Sequence, residues 1–118
     1  SMPDIESALR ERESELVEYM LETLPDVQMS SPDEQRQFVE GYVRIMCAAA
    51  GGDHGPRNDY LETVIPGIKE AGMPLSVVMD GMVRVAAAAC AVMGKDHGRW
   101  IIEFNGQYTT RLLEIWGG

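Results

Sequence analysis

The sequence predicts an all-α domain of about five helices, and three observations carry that prediction. Apolar residues recur at three- and four-residue spacing along most of the chain, and β-branched residues fall only inside those helical periods. Capping and breaking residues punctuate the pattern at Pro25, Ser31-Pro32, Gly51-Gly52, Gly72 and Gly94. One stretch, Pro74 to Met93, has no polar side chain in its second half beyond the Cys90 thiol. A helix apolar nearly all round is expected to be covered on most sides, so this stretch is predicted to be the central helix.

The first helix is predicted over Asp4–Leu24. Ile5, Leu9, Leu16, Met20 and Leu24 share a stripe that Arg12 interrupts, while Glu11, Glu15, Glu18 and Glu22 face away. The Arg12 stem is expected to lie along apolar surface with its head in water. Pro25 ends the helix and residues 26–30 read as a linker. Ser31-Pro32-Asp33-Glu34 then has the form of a capping box with proline at the first helical position. The second helix runs to about Ala50 with Phe38, Tyr42, Met46 and Ala49 on one face, and Gly51-Gly52 stops it.

Pro56 restarts helical structure to about Ala71, with Tyr60, Leu61, Val64, Ile65 and Ile68 inward. Pro66-Gly67 inside it predicts a kink or a break into two short helices. Gly72 closes this helix, and Pro74 opens the central one after a sharp corner. In the central helix Ser76, Asp80 and Arg84 form a thin polar stripe, Asp80 and Arg84 being spaced to pair. Gly94 ends it, Asp96 is the expected cap, and a last helix covers about Gly98–Trp116. Its broad buried face comprises Trp100, Ile101, Phe104, Tyr108 and Leu112, with Ile115 and Trp116 at its end.

Gly41, Gly81 and Gly106 sit near the middles of three of these helices. Each costs about 1 kcal/mol relative to alanine there. Close crossing of another helix would account for that cost, and steep crossings suit a globin-like stack better than a parallel bundle.

At 118 residues the chain is sized for one domain, 1–118. No run of eighteen apolar residues free of charge occurs and no signal-peptide pattern opens the chain, whose leading Ser1 has the look of a cloning remnant. Two cysteines without C-x-x-C spacing argue against a disulfide framework or a zinc site, so the expected location is the cytoplasm. The net charge of −9 is concentrated in residues 1–40, which hold eleven acids against Arg10, Arg12 and Arg36. Such a surface repels phosphate backbones and anionic lipid, which excludes nucleic acid and membrane as expected partners.

Candidate chemistry is sparse. His54 and His97 fall in turns, off the apolar helical faces from which an axial haem ligand would project. Cys47 and Cys90 lie among alanines as small buried hydrophobes, with no basic residue evidently placed to activate a thiolate. These four are weak candidates for holding a cofactor; no metal site, catalytic residue or resident cofactor is expected. Nucleophile–base pairs, Gly-rich phosphate loops and H-E-x-x-H spacing do not occur, so an enzyme is not expected. Trp116 and Met93 are the expected contacts of a homodimer, and a further protein partner is open.

From Tyr42 the run YVRIMCAAAGGDHGPRNDYL, followed by GIKEAGMPLSVVMDGM, resembles the phycobiliprotein family. The likeness rests on Tyr42 and Arg44, Ala50-Gly51-Gly52, Gly55-Pro56, Tyr60-Leu61, Gly67-Ile68, Glu70, Pro74 and Ser76. It implies a globin-like stack whose last four helices match the final four of that family. Where the family carries its bilin-bearing cysteine and the Arg-Asp pair that grips the pigment, this chain has Gln35, Gln37 and Phe38. The resemblance therefore implies the fold without a covalent chromophore. The Gly72-Met73-Pro74-Leu75 corner is also similar to that of the non-haem globin sensor domains of stressosome proteins. Together these imply a non-enzymatic, dimerising sensory or scaffolding module with an apolar pocket between helices. The alternative implied is a phycobilisome-like chromoprotein that binds bilin or haem.

Overall fold

A computed structural model describes residues 4–25 and 31–118. Every element among them is an α-helix: α1 (Ile5–Glu11), α2 (Glu13–Thr23), α3 (Pro32–Ala50), α4 (Gly55–Glu70), α5 (Leu75–Met93) and α6 (Lys95–Gly117). The expected linker 26–30 and Ser1 lie outside the described residues.

Six helices appear where five were expected, because the first breaks at Arg12. That residue leaves helical geometry at φ −113° and ψ 18°. Its guanidinium donates to the Val92 carbonyl at 2.7 Å and to the Glu15 carboxylate at 2.9 Å. Val92 stands in the last turn of α5, whose carbonyls have no partner within the helix, so Arg12 closes the end of a helix eighty residues away. The break also divides the labour of the stripe. α1 packs on α3, whereas α2 reaches both α3 and α5.

The capping box forms as its sequence demands. The Glu34 amide donates to Ser31 Oγ at 3.1 Å, and the Ser31 amide donates to Glu34 Oε1 at 3.2 Å. At the start of α4, Asp53 Oδ1 accepts from the Gly55 amide at 3.0 Å. α4 then runs unbroken through Pro66, so of the kink or break expected there, the break into two short helices does not form. The missing Pro66 N–H removes one bond of the ladder, and the flanking turns carry the helix across it. Gly72 and Gly94 turn the chain at φ +86° and +81°, conformations that glycine reaches without strain. Gly94 makes so tight a corner that α6 starts at Lys95, and Asp96 lies in its first turn instead of capping it.

The helices close a ring. α2 packs on α3, α3 on α4, α4 on α6, α6 on α5, and α5 back on α2. Inside it, Leu9, Leu16, Met20, Val39, Met46, Leu61, Val85 and Ile101 are fully withdrawn from water. α3 and α6 meet across the ring through an aromatic cluster in which Tyr42 contacts Phe104 and Tyr108 edge-on, with centroids at 5.6 and 5.1 Å. The Tyr42 hydroxyl donates to Asn105 Oδ1 at 2.8 Å, so one of the two largest buried side chains keeps its polar end satisfied. Lys69 Nζ donates to the Trp116 carbonyl at 2.7 Å, tying the end of α4 to the end of α6.

One expectation about packing is corrected. A Cβ on Gly81 or Gly106 would meet no described atom within 4 Å, and on Gly41 only Tyr60 Cε2 at 3.9 Å, an ordinary contact. The helices do not cross at these glycines. The second half of α5 is covered on most sides, as its composition predicts, and one face stays open: Val83 is 63% exposed, and Ala87 and Ala91 continue that face. By length and composition alone α5 is apolar enough to cross a membrane. It packs between α2 and α6 and carries a paired Asp80 and Arg84, at 2.7 Å, on its outer side.

Candidate functional site

An apolar groove of about 530 Å³ lies between α3, α4 and the first half of α5. Phe38 forms its α3 wall, and Tyr60, Val64 and Ile68 form its α4 wall. These α4 residues recur at i, i+4 and i+8 and are only partly buried, because the groove interrupts their contact with the rest of the core. Val77, Val78 and Gly81 of α5 form the opposite side, and Met73 closes the corner between α4 and α5. The short link from Gly72 to Pro74 holds α4 and α5 together at that end, while α5 pairs with α2 and α6 elsewhere.

Polar groups are few and uncharged save one. Glu34, Gln35 and Gln37 of α3 border the groove. Glu34 is engaged in the capping box, and Gln35 Nε2 donates to the Pro25 carbonyl at 2.9 Å. Gln37, the Gln35 side-chain oxygen and the Tyr60 phenol supply the remaining hydrogen-bonding groups, and among the described residues no lysine or arginine lines the groove. Burial pushes the Tyr60 phenol up from its ordinary value. Behind it, Tyr108 is 1% exposed, and its hydroxyl has no hydrogen-bond partner among the described residues. Burial first, then the nearby Tyr60 and Tyr42, pushes Tyr108 well up, so both phenols are neutral at ordinary pH.

A second, smaller cleft of about 330 Å³ between α2 and α3 is different in kind. Glu13, Glu18 and Glu40 face Arg36 and Arg44 there, and Arg36 is held by Glu18 at 2.9 Å and Glu40 at 3.7 Å. With acids in excess and Arg36 already paired, it offers no anion site.

The residues weighed from the sequence as cofactor holders are scattered. Cys47 is buried on α3, where burial and then the Glu13 carboxylate push its thiol up to about 12. Cys90 on α5 points at the Gly98 carbonyl, 3.9 Å away, and burial raises its thiol too. His54 is exposed at the start of α4, and His97 lies half-buried in the first turn of α6. None of the four lines the groove. Met93, expected at a dimer contact, is only 7% exposed because it packs into the core, which removes it from any interface. Trp116 is half-buried at the end of α6. Of the three mid-helix glycines only Gly81 borders the groove.

The site was partly legible beforehand. Tyr60, Val64 and Ile68 were assigned to the inner face of their helix, and Phe38 to the apolar face of the helix before it. What the periodicity does not report is that these two sets stand apart, because a helical stripe looks the same facing a groove as facing a core. No protein-family model matches this chain, and neither a curated protein nor a solved structure is significantly similar to it.

Proposed function

We propose that this chain is a non-enzymatic sensory or scaffolding module, a globin-like stack that dimerises and holds an apolar ligand in the α3–α4–α5 groove. The observation that carries the proposal is the groove itself: about 530 Å³ walled by Phe38, Val64, Ile68 and Val78. That size and lining match a small-molecule site, and burying an apolar ligand there is favourable at roughly 25 cal/mol per Å². The closed helix ring and the Gly72–Leu75 corner support the globin-like part. Native mass spectrometry of the purified protein tests the ligand: a co-purifying apolar mass is expected, and Val78→Trp should remove it. A bare mass under conditions that preserve added apolar ligands would contradict the proposal.

The dimer rests on the open face of α5. A copy carrying −9 repels its twin over most of its surface, yet α5 holds only Asp80 and Arg84, which cancel. Val83, Ala87 and Ala91 give that face apolar contact area and small side chains for close approach. Light scattering should give twice the chain mass for the parent and the single mass for Val83→Glu. A monomer at all concentrations would end this part.

A bilin- or haem-binding chromoprotein is the second proposal, favoured by one observation: Gln35, Gln37 and Phe38 border the groove. A visible absorbance spectrum after expression with either pigment decides it. A band retained through gel filtration supports it, and a colourless protein removes it.

A further inference from the structure

We infer that the groove selects by charge, taking an uncharged apolar molecule and refusing an anionic one of the same shape; this rests on the apolar-ligand function proposed above. The walls bring no cation. Among the fourteen described residues that border the groove there is no lysine, arginine or histidine, and the single charged one of them is Glu34, through its carboxylate. An anion drawn from water into such a site loses its hydration without an ionic partner to replace it. Glu34 and the net charge of −9 add repulsion. What remains for a ligand's polar end is the Gln37 amide, the Gln35 side-chain oxygen and the Tyr60 phenol, all neutral and suited to a carbonyl, ether or hydroxyl. A carboxylate-bearing lipid is therefore disfavoured, and the same argument weighs against the second proposal above, since bilin and haem carry ionised propionates.

The test uses two fluorescent probes of similar aromatic shape. N-phenyl-1-naphthylamine is uncharged, and 1-anilinonaphthalene-8-sulfonate carries one negative charge. The uncharged probe should bind saturably to the intact chain, and the sulfonate at least about tenfold more weakly. Gln37→Arg, at an exposed position on the groove's border, should raise sulfonate affinity toward that of the uncharged probe. Far-UV circular dichroism of each variant checks the fold. Equal affinity of the parent for both probes, in mutual competition, would overturn the charge selectivity and leave the groove standing. Failure of the uncharged probe to bind, or its indifference to Val78→Trp in a folded variant, would overturn the groove itself.

Discussion

Replacing Gly81 and Gly106 by alanine discriminates between the packing expected from sequence and the packing observed. If helices crossed at these positions, each methyl group would force two axes apart, and overpacking of that kind costs about 1–3 kcal/mol. In the structure the added Cβ meets no described atom within 4 Å at either site, and neither glycine has a positive φ. Only the helix-propensity term is left, about 1 kcal/mol in favour of alanine for each. Unfolding entropy of about 2.1 cal/mol/K per residue makes each kcal/mol worth about 4 °C for a chain of this length. The double variant should thus melt about 8 °C higher, followed by circular dichroism at 222 nm. Gly94→Ala provides the internal contrast: its φ of +81° strains any L side chain, and about 1 kcal/mol should be lost. A fall in melting temperature for Gly81→Ala or Gly106→Ala would refute the open faces described here.

Three further outcomes are expected. Leu61→Ala, which empties a fully buried position on α4, should cost about 2–5 kcal/mol and lower the urea midpoint without changing the slope. Arg12→Met removes the bond to the Val92 carbonyl while keeping most of the stem, and about 1 kcal/mol should be lost, with faster amide exchange in the last turn of α5. The third concerns pH. Because burial and Glu13 hold the Cys47 thiol up at about 12, the unfolded thiol ionises first as pH rises. Its contribution is complete below the unfolded value, near pH 8.5–9, and is lost progressively above it, by about 1–2 kcal/mol at pH 10. Urea unfolding at pH 7.5 and 10 should show that fall for the parent and a smaller one for Cys47→Ala.

Much of the fold could be read in the chain, and the misses have physical causes. Ser31, Pro32 and Glu34 specify a helix start through bonds among neighbours, so local sequence suffices there. Arg12 breaks a helix because of a carbonyl eighty residues away, and no local pattern reports that. The mid-helix glycines were given a packing role from their propensity cost alone, yet the space around them depends on where neighbouring helices pass. The apolar run Val85–Met93 was expected to be covered on most sides, and it is, but which side stays open, that of Ala87 and Ala91, depends on where α2 and α6 pass. The groove shows the same division. Its walls were named as apolar faces, but their separation is set by the ring closure of α5 onto α2 and α6.

Methyl NMR of the full chain titrated with N-phenyl-1-naphthylamine puts the central claim to its most direct test. Shifts should concentrate on the methyl groups of Val64, Ile68, Val77 and Val78, which wall the groove. Leu9, Leu16 and Ile101 in the sealed core should stay fixed. Movement confined instead to Val83 and Ile102 on the outer faces of α5 and α6, with the groove methyls silent, would contradict the account.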